Sequence, residues 1–381
     1  MFSRRFVSVL CAVASYCFGV SAKCTNPAVR KEWRTLSAEQ RADWIAAVNV
    51  GGQSFVFDCW DSISFELHQC LAKLPHDEAL TPFVNPDDIV AINTSSSYYD
   101  DIVYIHMDLN HIIHFTGLFY PFHRYYVQKY EDALRDKCGF TGVSPYWNWA
   151  QDAPDVYNSP LFTLDKDSAS GLGGWGDPSN DFQVPTGGFS DFHLSYPSSH
   201  IVRRNFTLQP FIDETDTGFF PNPDLYANAT FTQDEVDYMV NNFVGDFVGF
   251  QKYMEGFQGA HGAVHFILGG DLGGKCPASF GSDDCGGGPT FSANEPIFWL
   301  HHAMVDKVWY DWQNANEANG NSFAGGSVQA VDNVTIYEKY PTGAPPYLTL
   351  NSTVHGDGIF EDATVADVIS TTDGILCYIY E

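Results

Sequence analysis

Apolar residues recur at helical spacing in several stretches of the chain, and this pattern predicts a mainly α-helical fold. The first stretch covers residues 31–48, where Ser37 is placed to cap the later part of the helix. Two longer stretches, 106–135 and 258–313, combine a strong helical pattern with several histidines. These stretches are expected to form the core of the protein.

The other stretches lack a clear helical period. Residues 150–235 are rich in Pro, Gly, Asn and Asp, which predicts long surface loops. The tail over 328–381 is irregular and predicts only short strands. Because no internal repeat or clear linker divides the chain, one domain over residues 23–381 is expected.

The N-terminal 22 residues have the pattern of a secretory signal peptide. Arg4 and Arg5 precede an apolar run over residues 6–20, and small residues follow directly. We therefore expect a secreted protein from which residues 1–22 are removed. Five N-glycosylation sequons agree with passage through a secretory compartment. They begin at Asn93, Asn205, Asn228, Asn333 and Asn351.

Composition narrows the classes of partner. Hydrophobic residues make up 44% of the chain and aromatic residues 15%, which is enough for a buried core. The formal net charge of −28 disfavours nucleic acid and anionic membrane surfaces as partners. No segment reaches eighteen consecutive apolar residues, so no membrane span is predicted. The sequence carries no signal for an oligomeric state.

Nine cysteines are present, and seven remain once Cys11 and Cys17 leave with the signal peptide. The expected disulfides are Cys24–Cys377, Cys70–Cys138 and Cys276–Cys285, which leaves Cys59 over. The first pair lies near the two chain termini, which are often close in space. The last pair flanks a short glycine-rich loop. Other pairings remain open.

The first histidine-rich stretch contains a possible three-histidine metal site. His106, His114 and His123 are spaced by 8 and 9 residues, so a single straight helix would separate them by roughly 12 and 13 Å. One metal ion cannot bridge such distances, and the chain must fold back between them. Pro121 is well suited to open a helix that carries His123 in its first turn. His106 then belongs to a preceding element and His114 to the connection.

The second stretch contains another possible triad. His261 and His265 lie four residues apart, about 40° around one helix face. A further helix is expected to open at Pro296, with Asn294 as its N-cap. In that helix His301 and His302 point about 100° apart, so at most one of them is a ligand. We choose His302, because Asp306 follows one turn later and could accept its second ring N–H.

Two triads of this kind are much less expected by chance than one histidine pair. Ligation by imidazoles alone suits copper, zinc or iron, and spacing does not choose among them. Isolated histidines are more often satisfied core residues than ligands. That reading applies to His68, His76, His193, His200 and His355.

Four segments then resemble the motifs of the tyrosinase/catechol oxidase family, and short secreted fungal members most of all. IHFTGLFYPFHRYYVQKYE (113–131) resembles the first copper signature, and SPYWNWAQD (144–152) resembles the block that follows it. GAHGAVHFILGGD (259–271) and NEPIFWLHHAMVDKVWYDW (294–312) resemble the two halves of the second signature. The resemblance extends over nearly all of residues 24–381.

The resemblance implies a four-helix bundle that holds two copper ions in a type-3 centre. The first copper would be bound by His106, His114 and His123. The second would be bound by His261, His265 and His302. It also implies an enzyme that uses O₂ to oxidise o-diphenols to o-quinones, with the phenol ring near His265.

The residues around the second copper indicate which phenols are favoured. Relatives that are strong on monophenols often carry Asn, paired with Glu, after the first ligand of this site. Here Gly262 follows His261 and offers room but no acceptor. Glu255 is the nearest candidate catalytic acid and Gln258 a neutral substitute, and each is more readily explained as structural. We therefore expect catechols to be favoured over tyrosine.

Several positions depart from the family pattern. Glu295 replaces the usual Asp, and Ile112 replaces a Cys that forms a thioether in many relatives. Residues 50–69 have no family counterpart, and we interpret them as a surface loop or a retained intron translated in frame. The Tyr-x-Tyr ending at Tyr380 resembles the end of the family's catalytic core, which packs near an Arg at the position of Arg30. By the same resemblance, we expect the enzyme not to depend on removal of a C-terminal domain that plugs the active site.

The sequence leaves other functions open. Within the family, the chain could be a full tyrosinase or an o-aminophenol oxidase. From another class, the same copper pair could carry O₂, as in haemocyanins. A zinc hydrolase or structural-metal module would contain zinc instead of copper.

Overall fold

The computed structural model describes residues 24–49, 71–87, 89–166, 168–211, 217–273, 275–285 and 288–381, and the backbone of two strands within 53–67. The predicted signal peptide, His68, Cys59 and Cys70 lie outside the described residues. Two strands of the 50–69 segment pair antiparallel. Whether that segment is an insertion or a retained intron stays a hypothesis.

Helices dominate the described chain. The α-helices are α1 (Ala38–Val48), α2 (Tyr98–Asp108), α3 (Asn110–Ile113), α4 (Phe119–Cys138), α5 (Pro160–Thr163), α6 (Gln233–Asn242), α7 (Phe247–Glu255), α8 (Ala260–Leu268), α9 (Ile297–Ala315), α10 (Val334–Lys339) and α11 (Val365–Val368). The strands are β1 (Ala28–Arg30), β2 (Gln53–Phe57), β3 (Ile63–Leu67), β4 (His193–Leu194), β5 (His200–Ile201), β6 (Gly326–Val328), β7 (Ala344–Tyr347), β8 (Thr353–Val354), β9 (Ala363–Thr364) and β10 (Tyr378–Tyr380). Within the described residues they form five two-stranded sheets.

The predicted mainly α-helical fold is confirmed, with α2, α4, α8 and α9 at its centre. Ser37 caps α1 as expected, because its hydroxyl accepts a hydrogen bond from the backbone N–H of Gln40. The fourth helix begins at Phe119, two residues before Pro121, so the proline occupies the first turn rather than opening the helix. It ends at Gly139, whose φ of 67° suits a left-handed cap.

The predicted cap of α9 is wrong. Asn294 does not cap the helix, because its side-chain amide donates to the carbonyl of Tyr196. A carboxylate oxygen of Glu295 accepts instead from the N–H of Ile297, at the first residue of α9. Glu295 also forms a buried, two-pronged ion pair with Arg204 at 2.7 and 2.9 Å. The departure from Asp therefore preserves a carboxylate at the helix start.

Helices α4 and α9 pack through large aromatic and charged side chains. The rings of Tyr130 and Trp299 stack with centroids 3.7 Å apart. Further along, Arg124 donates to Asp306 at 2.5 Å and lies over the ring of Trp309 at 3.5 Å. All five side chains are buried. This contact fixes the two helices against each other along the length of the bundle.

The two ends of the described chain meet beside α9. Strands β1 and β10 pair in parallel, and Cys24 and Cys377 form the predicted disulfide next to them. The predicted Cys276–Cys285 disulfide is also present, whereas Cys70–Cys138 involves a residue outside the described part of the chain. As the sequence predicted, Arg30 packs on the Tyr-x-Tyr segment, with its guanidinium 3.7 Å from the ring of Tyr378.

The segment between the histidine-rich stretches is loop-rich, as expected. Within 150–235 the described residues form short helical turns and the two-residue strands β4 and β5. None of the helices in the described residues combines the length and the apolar character needed to cross a membrane.

Candidate metal centre

Three elements bring the first histidine triad together. His106 lies in the last turn of α2, His114 directly follows α3, and His123 lies in the second turn of α4. The ring centroids of these residues are 5.0–5.5 Å apart. His123 donates its Nδ1–H to the carbonyl of Phe119, so its Nε2 faces the cluster, 3.4 Å from Nε2 of His106.

A tight turn after His114 completes this triad. Phe115 has a φ of 53°, an unusual value for a bulky residue. Its N–H donates to Glu255 at 2.5 Å, and Gln251 donates both to the other oxygen of Glu255 and to the carbonyl of Thr116. Buried partners from α7 therefore hold the turn that presents His114.

The second triad is built on two helices. His261 and His265 share one face of α8, as predicted, and His302 faces them from α9. Nε2 of His265 lies 3.0 Å from Nε2 of His261 and 3.2 Å from Nε2 of His302. The expected convergence of these three imidazoles is present in the structure.

The reason given for choosing His302 over His301 is wrong. Asp306 does not contact His302; its carboxylate is taken up by Arg124, Tyr378 and Tyr380. His301 is also buried and lies within the same group of histidines. Its ring stacks on that of His261 at 5.6 Å. The close Nε2 contacts nevertheless join His265 to His261 and His302 rather than to His301.

Burial keeps the clustered imidazoles neutral. Removal from water, followed by repulsion from neighbouring imidazoles, holds the pKa of His123, His261, His265 and His302 well below the usual value. Burial also lowers the pKa of His301 to about 3. Neutral imidazoles keep a lone pair free to bind a cation.

The spacing of the nitrogens fits metal ions. Two ligand nitrogens bound at about 2.0–2.1 Å in tetrahedral geometry stand roughly 3.3 Å apart, and the observed Nε2–Nε2 distances are 3.0–3.4 Å. In each triad the candidate ligand atoms lie within 4.8 Å of one another. The all-imidazole donor set is compatible with copper, as it is with zinc or iron.

The two triads lie side by side, and imidazole rings of one pack against rings of the other. The rings of His123 and His302 are nearly parallel, with centroids 4.4 Å apart, and His114 lies 5.9 Å from His261. Phe298, one turn before His302 on α9, packs on that ring at 4.1 Å and on the ring of His106 at 5.2 Å. The sequence signal for this residue was its position four residues before His302.

A cavity of about 420 Å³, here called the inner cavity, opens onto both triads. It is lined by His106, His114, His261 and His265 together with Ile89, Met107, Asn110, His111, Phe115, Glu255, Gly256, Phe257, Gly262, Phe266, Ser292 and Gln329. The expected residues Glu255 and Gly262 therefore lie on its wall, whereas Gln258 does not. Gln258 instead pairs with both backbone groups of Asn222. Sequence reasoning missed His111 and Gln329, which come from a short helix and a distant loop.

A model of the common central domain of tyrosinase matches residues 96–315, which is more than half of the chain. The chain belongs to the tyrosinase family. Proteins of this family use a binuclear copper site to oxidise phenolic substrates with O₂, and this member is an oxidoreductase.

Curated tyrosinase relatives match along nearly their whole length. Tyrosinase P of Aspergillus terreus is 29% identical, and the match covers 94% of this chain and 93% of the relative. The N-acetyl-6-hydroxytryptophan oxidase ivoB of Emericella nidulans is 26% identical, with 98% of each chain covered. A polyphenol oxidase variant from Thermothelomyces thermophila shares the fold, with a TM-score of 0.61, 23% identity, and coverage of 94% of this chain and 90% of that chain.

The histidines that the sequence indicated to be ordinary structural residues lie outside both triads wherever the structure describes them. The described ones bind protein partners: His76 contacts Asp101 at 2.5 Å and His200 contacts Asp271 at 2.6 Å. His193 contacts Ser199, and His355 contacts Asp362. Their assignment as ordinary structural residues agrees with these contacts.

Proposed function

We propose that this member of the tyrosinase family is a secreted, copper-dependent catechol oxidase. It would convert two o-diphenols to two o-quinones while one O₂ is reduced to two water molecules. The observation that supports it most is the pair of buried imidazole triads on the wall of one cavity. The cavity gives a phenol direct access to both.

In this proposal His106, His114 and His123 hold one copper ion, and His261, His265 and His302 hold the other. The bound copper pair would supply the redox chemistry with O₂. The chain itself keeps its six imidazoles neutral and in position. It also surrounds them with aromatic side chains, such as Phe298 and Phe119, that exclude bulk water.

The wall of the inner cavity supports binding of a flat phenol ring. His265 and Gly262 lie on one side and Phe115 and Phe257 on another. We propose that the ring stacks near His265, where the missing side chain of Gly262 leaves space. A Cβ at Gly262 would meet only Phe266, at 3.7 Å, so the space is real.

The same wall supports a preference for catechols over tyrosine. Among the described residues that line the inner cavity, Glu255 is the one carboxylic acid. Burial raises its pKa well above the usual value, although the hydrogen bonds from Phe115 and Gln251 oppose that rise. Because both oxygens already accept hydrogen bonds, we assign Glu255 a positioning role rather than that of a base for monophenols.

Secretion is part of the proposal. The signal-peptide pattern and two disulfides in the described residues are compatible with an oxidising compartment. Asn93, Asn333 and Asn351 are exposed and suit glycan attachment. The amide nitrogen of Asn228 donates to the carbonyl of Ala153, which disfavours that sequon.

Metal analysis combined with oxidase assays tests the proposal. We expect two copper ions per chain and much faster turnover of catechol than of tyrosine. Zinc in the isolated protein, with no oxidation of either phenol, would contradict the copper assignment. Faster turnover of tyrosine would replace catechol oxidase by tyrosinase.

A further inference from the structure

A second cavity, here called the outer cavity, lies beside the inner cavity. Its volume is about 540 Å³. It is bordered by α6, α7 and α10, and its wall includes Phe219, Leu225, Lys252, Tyr253 and Tyr337. None of the six histidines assigned to copper lines it. The proposed chemistry therefore leaves this cavity without a role.

One short loop separates the two cavities. Residues 256–259 connect α7 to α8, and Gly256 and Phe257 line both cavities. The half-buried ring of Phe257 stacks on Phe115, which faces the inner cavity, with centroids 4.8 Å apart. On its other side it packs on Phe219 at 4.2 Å, in the outer cavity. A molecule passing over Phe257 would thus reach from one cavity into the other.

Exposed aromatic and apolar side chains continue from Tyr253 and Phe243, which line the outer cavity, onto the neighbouring surface. Tyr238 is 45% exposed and Tyr253 is 38% exposed. Their rings lie 5.1 Å apart, and Phe243 packs against both. Val244, beside Phe243, is 54% exposed. A contiguous exposed apolar patch at a cavity mouth marks a binding site more often than a plain surface.

Charge indicates the chemistry of the ligand. Lys252 is neutralised by Glu338 at 2.5 Å, and Glu235 accepts a hydrogen bond from Tyr253 at 2.6 Å. Two carboxylates and one ammonium leave the wall slightly negative, on a chain of net charge −28. Anionic ligands are therefore disfavoured, whereas a neutral aromatic group matches the stacked rings.

We infer that the outer cavity binds a second aromatic ring of an extended, uncharged phenolic substrate, whose o-diphenol ring occupies the inner cavity. This inference rests on the proposed function. A lone catechol fills only part of the inner cavity, since pockets of about 300–1,000 Å³ typically enclose drug-sized ligands. The two adjoining cavities suit a diaryl molecule with a short neutral linker over Phe257.

A substrate series tests the inference. The probes are a catechol that bears only a methyl group and catechols that carry a benzyl group through amide linkers of graded length. We expect kcat/KM to be at least about tenfold higher for the best diaryl probe, mainly through a lower KM, because a buried aromatic ring contributes substantially to binding. Equal values for all probes would overturn the inference.

A cavity-filling variant makes the test specific. Ala229 lines the outer cavity, and the large side chain of Ala229→Trp is used to fill that cavity. Ala38→Trp, at an exposed position on α1, is the matched control. We expect Ala229→Trp to remove the advantage of the diaryl probe and to leave turnover of the methyl probe within about twofold, while the control keeps both.

The outcomes separate the two proposals. If the wild-type protein oxidises neither probe, the proposed function fails, and the inference fails with it. If it oxidises the methyl probe but the diaryl advantage is absent, or survives in Ala229→Trp, only the inference is overturned. Loss of activity on both probes in Ala229→Trp, with Ala38→Trp unaffected, would also overturn it, because the outer cavity would then support folding or catalysis in general.

Discussion

The two histidine triads reach similar geometry by different means. His261 and His265 are placed by the period of one helix, and only the packing of α9 on α8 is needed to add His302. In the other triad each histidine comes from a separate element. His114 is extended, and its turn depends on hydrogen bonds from residues far away in sequence.

The geometry of the second triad is therefore specified mainly by local sequence, and that of the first triad by contacts between distant segments. A helix presents residues four apart on one face whatever surrounds it. The left-handed turn at Phe115 is held by Glu255, by Gln251 and by the side-chain amide of Gln329, which donates to the carbonyl of His114. The first triad should therefore be more sensitive to changes outside its ligands.

The largest effect is expected from removing a ligand of the locally specified triad. His302→Ala should lose one of two copper ions and more than about a hundredfold in turnover, since even outer contacts of a metal site cost 10–100-fold. His301→Ala should keep both ions, because neither of its ring nitrogens has a partner within hydrogen-bonding distance, whereas Nε2 of His302 lies 3.2 Å from Nε2 of His265. Metal content and catechol oxidation are measured on both variants. Equal losses would contradict the choice of His302.

The next effect concerns the other triad. Glu255→Ala removes the acceptor of the Phe115 N–H and should weaken binding of one copper ion by about 10–100-fold, with the second ion retained. Glu255→Gln keeps an acceptor oxygen and should lose less. Copper retained against graded chelator concentrations gives both affinities. Loss of both ions together, or of neither, would refute the unequal dependence of the triads.

A smaller effect should come from Gly262 on α8. Gly262→Asn adds an acceptor beside His261 and should raise the ratio of tyrosine to catechol turnover several-fold. Gly262→Ala adds the same Cβ, which has room, but no acceptor. Initial rates on both phenols are compared for the two variants. A similar ratio in both would show that the acceptor does not set the preference.

The smallest effect is on stability, near the end of α8. Burial lowers the pKa of His200, but the Asp271 carboxylate outweighs it and the net pKa is raised. The stabilisation is therefore fully present below the usual pKa of about 6.5 and is lost as the pH rises through the raised value. Arg203 also contacts Asp271, at 2.7 Å, and opposes that rise.

His200→Gln should consequently lower the free energy of unfolding by about 1–3 kcal/mol at pH 5.5. The difference from the wild-type protein should shrink at pH 8.5. Denaturant unfolding at the two pH values measures it. A difference that is constant, or larger at the higher pH, would contradict the role of the charged histidine.

Sequence reasoning succeeded where a local pattern carries the information. The period of α8, the Pro-containing start of α4 and the short loop between Cys276 and Cys285 all depend on neighbouring residues. The family motifs then pointed to the remaining histidines. These features did not require knowledge of which distant segments meet.

It failed where a side chain chooses a distant partner. Asp306 follows His302 by one helical turn, which suggested a contact between them. Instead its carboxylate binds two tyrosines from β10 and Arg124 from α4. Competition among partners for one buried carboxylate depends on tertiary packing. The outer cavity, built from separate helices and loops, could not be foreseen for the same reason.

Residues of β1 and β10 hold the carboxylate of Asp306, so the integrity of α9 depends on residues far from it in sequence. Arg30 approaches this carboxylate to 3.6 Å, while Tyr378 and Tyr380 each donate to it at 2.6 Å. Loss of residues 378–381 would remove both hydroxyls and leave Asp306, one turn beyond His302, with fewer partners. Cleavage at or before Tyr378 would thus loosen the helix that carries His302, and a break far from the histidines in sequence would reach the candidate metal centre.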